Sequence, residues 1–122
     1  MPKSEQAIQQ EIILNLSKSG ARLLRNNCGQ CQASDGRVIR YGVGNPGGSD
    51  LIGLHTITIT PEMVGQQLAV FTAIEVKTPT GRVSEQQQRF IAMVKSLGGI
   101  AGVARSVEDA ADLLKSLRVP AA

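Results

Sequence analysis

Aromatic residues are nearly absent from this chain: it has no Trp, one Tyr and two Phe among 122 residues. That scarcity argues against single-strand binding on stacked aromatic platforms, and it leaves Ile, Val, Leu and Ala to fill the core. Histidine is represented only by His55, and cysteine only by Cys28 and Cys31. A structural zinc site needs four ligands, and the C-x-x-C pair offers two, with His55 far away in sequence. The cysteines therefore read as reduced loop thiols, and His55 as a strand-surface or internally satisfied histidine. No apolar run approaches the ~20 residues of a membrane span, and the polar N-terminus lacks a basic-then-apolar leader. The expectation is a cytoplasmic protein with no membrane partner. Internal repeats and low-complexity linkers are also missing, which favours a single domain over residues 1–122.

What is present fits an ordinary globular chain. A hydrophobic share of 42% against 19% charged residues is enough to build one core at this length. The net charge of +3 mildly favours a polyanionic partner, because Lys and Arg near phosphates release counterions.

Along the chain, Ser4 caps a helix expected from Glu5 to Ser19, ending near Gly20. Ile8, Ile12 and Leu16 share one face of it, with Ile13 at the edge. Glu5 and Gln9 fall on that same face, whereas Glu11 points away. A carboxylate on a buried stripe needs a reason, since burying it unpaired is costly. Ala21 to Asn27 reads as a strand or extended entry, followed by a polar loop through Gly36. Arg37 to Val43 reads as a short strand, and Gly44 to Ser49 as a loop rich in residues that permit unusual backbone angles. Leu51 to Thr60 resumes β character, Pro61 to Gln67 is a turn, and Leu68 to Lys77 is a buried strand. After the turn Thr78-Pro79-Thr80-Gly81, Ser84 and Gln87 form a capping-box pattern. The helix that follows carries Phe90, Ile91, Val94 and Leu97 on its apolar stripe, with Gln87 on the same side. Gly98-Gly99 stops it. Ile100 to Ala104 is a short apolar strand, and Ser106 with Asp109 opens a last helix to about Leu117. The tail beyond Pro120 is expected to fray. The predicted fold is α/β in the order αβββαβα, with a mixed central β-sheet flanked by helices.

The chemistry-bearing segment is Ile74-Glu75-Val76-Lys77. Strand side chains alternate, so Glu75 and Lys77 project to one side and Ile74 and Val76 to the other. Asp50 opens the preceding long strand directly after the glycine-rich loop. If these two strands are antiparallel neighbours, Asp50 and Glu75 converge at one sheet edge. Two carboxylates within ~4–6 Å repel unless a cation lies between them. Hard oxygen ligands suit magnesium or manganese, and Lys77 beside them would orient or help deprotonate an attacking water. The plainer reading is that Glu75 and Lys77 form a surface ion pair.

Asp followed by Glu-x-Lys after an apolar strand resembles the PD-(D/E)xK restriction-endonuclease-like superfamily. The surrounding residues narrow this. Gly47-Gly48-Ser49-Asp50-Leu51-Ile52-Gly53, Glu75-Val76-Lys77-Thr78-Pro79-Thr80-Gly81 and Ser84-x-x-Gln87-x-x-Phe90 resemble the virus-type replication-repair nuclease (VRR-NUC) family. Arg25-Asn26-Asn27 followed by Gly29 is similar to that family's segment after its first helix. The resemblance runs from Glu5 to Gly99 and implies a restriction-endonuclease-like core. It implies Asp50, Glu75 and the Val76 carbonyl as metal ligands, Lys77 as the catalytic lysine and Gln87 as a polar residue facing the site. The first helix of the superfamily often adds an acid, for which Glu5 is the candidate, with Gln9 one turn on and Glu11 as an alternative. Ser49 stands where the superfamily motif has proline, a variation compatible with VRR-NUC. Gly48, Ser49, Arg25 and Arg82 are candidate DNA contacts, and Arg40 a further one. The bland alternatives are a tight turn for Gly47 and Gly48 and simple solvation for the arginines.

The function so implied is hydrolysis of phosphodiester bonds in DNA with Mg2+ or Mn2+. The DNA would be structured: a branched junction, a flap, or duplex with a nick or end, in replication, repair or recombination. A small domain has little surface for reading base sequence, which favours recognition of shape and backbone. The resemblance also implies a homo-oligomer, a dimer being favoured, in a bacterial cell or phage-infected host. The competing readings are a catalytically inactive DNA-binding or assembly module that keeps the nuclease fold, and a metal-free basic scaffold protein.

Overall fold

A computed structural model describes residues 2–117, which divide into two compact units, one up to His55 and one from Thr56 onward. The architecture is mixed α/β with small sheets.

The first unit contains α1 (Glu5–Ser17), β1 (Ala21–Arg25), β2 (Gly29–Gln32), β3 (Val38–Tyr41) and β4 (Leu51–His55). Ser4 caps α1, its hydroxyl accepting from the Ala7 N–H at 3.1 Å, which satisfies one of the orphan donors at the helix start. The helix stops at Ser17, two residues before the expected Ser19, and Gly20 follows with φ of 91°. α1 packs on β1, and β1 pairs antiparallel with β4 in a register that sets Leu23 opposite Gly53.

The predicted buried stripe of α1 is not found. Ile8, Ile12 and Leu16 are exposed, as is Glu5, whereas Ala7, Gln9 and Ile13 are the half-buried positions. A helix resting on a sheet two strands wide covers only a narrow strip of its surface, so the hydrophobic pattern is broader than the face it finds.

β2 and β3 form a hairpin with Gly29 opposite Tyr41. The segment containing β2 was expected to be a loop, because Gly-Gln-Cys-Gln lacks apolar alternation. Its signal is in the connection: Asp35–Gly36 is a strong hairpin dipeptide. In the structure Gly36 has φ of 89°, and the Asp35 carboxylate accepts from the Arg37 N–H and Nε at 3.1 and 2.7 Å.

The second unit contains β5 (Thr72–Val76), α2 (Glu85–Ser96), β6 (Ile100–Ala104) and α3 (Val107–Leu114), with short 3-10 turns at Pro61–Met63 and Lys115–Leu117. β5 and β6 pair in parallel, joined by the helical crossover that a parallel pair requires. Both α2 and α3 pack on β6, with Leu113 of α3 seated against Gly102. This explains the small, continuously apolar sequence of β6, since a strand covered on both faces cannot alternate. Val94 of α2, Ile100, Ala101 and Ala104 are the buried hydrophobic residues of the described chain.

Several further expectations are corrected. Five strands precede α2 instead of three, giving αβββββαβα. The described strands make three two-stranded sheets in place of one mixed central sheet. The predicted strand over 51–60 ends at His55, and that over 68–77 spans only Thr72–Val76, which leaves Lys77 just past its end. Residues 56–60 alternate Thr and Ile, but no ladder partner is described for them, and β propensity without a partner does not make a strand. β5 is limited by the five residues of β6, whose ladder opens with the Ile100 N–H donating to the Phe71 carbonyl at 2.9 Å. The antiparallel pairing imagined between the strands after Asp50 and before Lys77 is also not among the described pairs, since β4 pairs with β1 and β5 with β6.

Candidate active site

β5 carries its polarity inside out. Ala73 and Glu75 are half-buried, whereas Ile74 and Val76 are exposed, Val76 at 75%. The strand alternation thus puts the charged face of β5 in the more enclosed position. A local pattern that opposes the hydrophobic rule is a common mark of a functional site.

Three side chains meet there. Gln87 Nε2 donates to Glu75 Oε1 at 2.8 Å, and Lys77 Nζ lies 3.6 Å from the same oxygen. The Glu75 and Lys77 side chains retain only 31% and 22% of their accessible surface. The expected capping box at α2 is present: Ser84 Oγ accepts from the Gln87 N–H at 3.1 Å, and Gln87 Oε1 accepts from the Ser84 N–H at 2.9 Å. The box therefore does two things. It closes two orphan donors of the helix start, and it fixes which end of the Gln87 amide faces Glu75. An open cavity of about 240 Å³ adjoins this cluster, lined by Ala73, Ile74, Glu75, Gln87, Phe90 and Ile91.

In the first unit, Asp50 leaves the glycine-rich loop at the start of β4. Its carboxylate is exposed, and no described hydrogen bond ends on it. Its main chain is held by Asn26, which follows β1. The Asn26 N–H donates to the Asp50 carbonyl at 2.8 Å, its Nδ2 donates to the carbonyls of Val43 and Ser49 at 2.8 and 3.0 Å, and its Oδ1 accepts from the Val43 N–H at 2.8 Å. One amide side chain thus ties both ends of the loop together. Asn45 acts similarly inside it, donating to the carbonyls of Gly29 and Tyr41 at 2.7 and 2.8 Å.

A VRR-NUC domain model matches residues 3–108.

The chain belongs to the VRR-NUC family.

No match is found among curated proteins or among solved structures. Membership makes this a nuclease-type domain of DNA replication and repair, with DNA as the partner such a domain binds. The matched span takes in Asp50, Glu75, Val76, Lys77 and Gln87. Among the described residues, no helix is long and apolar enough to cross a membrane.

The remaining sequence candidates of this VRR-NUC chain fall as follows. Glu5 is exposed, Gln9 is half-buried, and Glu11 pairs with Lys3 at 2.7 Å. Arg25 Nη2 donates to Gln10 Oε1 at 3.1 Å, tying β1 to α1. Arg40 lies in β3, and both it and Arg82 are exposed. A Cβ on Gly48 would lie 1.9 Å from the Val43 carbonyl oxygen. The close approach that Gly48 serves in this structure is therefore to the loop's own backbone. Ser49 lends its carbonyl to Asn26. His55 is exposed at the end of β4. Cys28 and Cys31 are exposed free thiols, and Cys31 lies in β2 instead of a loop.

The donor set fits a hard divalent cation. Glu75 has one oxygen engaged by Gln87, while no described hydrogen bond ends on its Oε2. Among the described residues no three His, Cys, Asp or Glu side chains cluster. Magnesium does not require such a cluster, because it usually takes one or two carboxylates and fills its octahedron with water and substrate phosphate oxygens.

Asn26 is a positioning residue outside the set of sequence candidates. The available signal was an amide following a strand and preceding a loop full of backbone groups that need partners.

Proposed function

We propose that this chain is a divalent-metal-dependent DNA nuclease that hydrolyses phosphodiester bonds in structured DNA. The observation that carries the reading is the Glu75 carboxylate on the enclosed face of β5, oriented by Gln87, with Lys77 just past the strand end 3.6 Å away. Partly enclosing two charges costs desolvation that their attraction at 3.6 Å offsets only in part, so stability alone is a weak reason to place them on that face.

In this proposal Glu75 and the Val76 carbonyl would hold Mg2+ or Mn2+, with Asp50 added to the ligand set by the family resemblance alone. Bound there, the ion would supply Lewis-acid polarisation of the scissile phosphate and a more acidic water. Glu75 Oε2 would be the oxygen left to help hold the ion, since Gln87 engages Oε1. Lys77 donates a hydrogen bond that orients the water attacking phosphorus, as its place beside Glu75 allows. Attack forms a new P–O bond as the P–O bond to the leaving sugar oxygen breaks; the attacking water gives up a proton to solvent, and the leaving oxygen takes one up from solvent. Asp50 enters on the family resemblance. Glu5 and Gln9 are proposed as first-helix contributors on the same basis, and Arg25, Gly48, Ser49 and Arg82 as contacts to DNA.

Branched junctions, flaps and nicked or ended duplexes are the proposed substrates, since the domain is small and reads shape more readily than base sequence. A cytoplasmic homodimer is the proposed working form. The test is cleavage of labelled junction, flap, single-stranded and linear duplex DNA with Mg2+ or Mn2+. Wild type should cut at least one structured substrate. Asp50→Asn and Glu75→Gln should abolish metal-dependent cutting with folding intact. Persistent activity in either variant would remove that residue from the ligand set, and an inert wild type would favour a DNA-binding module without catalysis.

A further inference from the structure

We propose that Arg105 is a positioning residue that sets the turn between Lys77, just past the end of β5, and the Gln87 helix. The role rests on the nuclease reading above, but its structural basis can be tested without metal or DNA. Arg105 directly follows β6, and its side chain is exposed. Its Nη1 donates to two carbonyls at once, Thr78 at 2.5 Å and Gly81 at 2.8 Å. These are the first and last residues of the turn Thr78-Pro79-Thr80-Gly81, which is closed by the Gly81 N–H donating to the Thr78 carbonyl at 3.1 Å. The Thr78 oxygen thereby accepts two hydrogen bonds, the full capacity of a carbonyl.

The turn bears on both neighbours that matter. A Cβ built on Gly81 would lie 3.5 Å from Cβ and Cδ of Lys77, so the turn leans on the stem of the lysine. Three residues after Gly81 comes Ser84, the cap that orients Gln87. Arg105 is itself held at its main chain. Its N–H donates to Asp109 Oδ2 at 2.9 Å, and the Asp109 N–H donates to Ser106 Oγ at 3.0 Å. The Lys77 N–H in turn donates to the Ala104 carbonyl at 3.1 Å. The cap of α3 therefore fixes the arginine, and the arginine fixes the turn. Guanidinium suits the task, because a planar cation with several donors bonds neutral carbonyls strongly through charge assistance. Lysine could reach such carbonyls only as a mobile point charge.

The test compares wild type with Arg105→Gln and Arg105→Lys. Amide exchange in the metal-free, DNA-free protein should speed up roughly tenfold or more at Gly81 in the Gln variant, with α3 and β6 unchanged. On the best DNA substrate, kcat should fall roughly tenfold or more, as misplacement of a reacting group predicts, while KM stays within about twofold of wild type. Arg105→Lys should recover part of both effects. Unchanged exchange at Gly81 overturns the proposal. So does an unchanged kcat combined with weaker DNA binding and a salt slope reduced by about 1, the signature of a phosphate contact. If wild type cuts no DNA, the nuclease reading fails and takes the positioning role with it. The exchange measurement then still decides whether Arg105 holds the turn.

Discussion

Gln87 and Glu75 are joined by a single hydrogen bond of 2.8 Å whose direction is set elsewhere: the Ser84 N–H occupies Gln87 Oε1, so Nε2 must face the carboxylate. Replacing Gln87 by Glu separates the two duties of this side chain. Glutamate still accepts from the Ser84 N–H in a capping box, but it has no donor for Glu75 and brings a like charge beside it. Gln87→Glu is expected to unfold within a few degrees of wild type while losing most cleavage activity, roughly ten- to hundredfold. Thermal melting alongside the nuclease assay checks both halves.

Removing the cap itself should show as stability. Ser84→Ala deletes the oxygen that accepts from the Gln87 N–H and is expected to cost about 1 kcal/mol, a drop of about 4 °C in Tm. Because the Gln87 side chain still reaches the Ser84 N–H, the activity lost should be smaller than in Gln87→Glu. A Tm equal to wild type would show that the cap contributes nothing.

The two ends of the loop before Asp50 are tied by the Asn26 amide. Asn26→Asp keeps an acceptor for the Val43 N–H but loses both donated bonds and turns a carboxylate oxygen toward two carbonyl oxygens. A destabilisation of about 2 kcal/mol is expected in chemical denaturation. Gly48→Ala should be similarly damaging, since its Cβ would meet the Val43 carbonyl at 1.9 Å. If Gly48 were present only to admit DNA, the alanine variant would keep its stability and lose only binding.

Much of the local geometry around the candidate site is legible in the sequence because it lies on local signals. Ser4, Ser84 and Ser106 are followed at fixed spacing by the backbone donors they cap, and all three caps are present. The alternation of Glu75 and Lys77 against Ile74 and Val76 also follows from strand geometry alone. What was not legible depends on partners distant in sequence. Thr56 to Thr60 has the composition of a strand but no described ladder partner, and Gly29 to Gln32 has the composition of a loop but pairs with β3. The stripe of Ile8, Ile12 and Leu16 describes a helix face, not the width of what covers it. Asn26 and Arg105 escaped for the same reason, since each acts on backbone carbonyls at least 17 residues away.

The central claim is that Glu75 and Lys77 are working parts of a metal-dependent nuclease. Its most direct test is the rate at which wild type and Lys77→Ala cut a labelled branched DNA junction in the presence of Mg2+ or Mn2+. The account predicts cleavage by wild type that stops on chelation, and a loss of roughly a hundredfold or more in Lys77→Ala with the fold retained. Equal rates for the two proteins, or cleavage that survives removal of the metal, would contradict it.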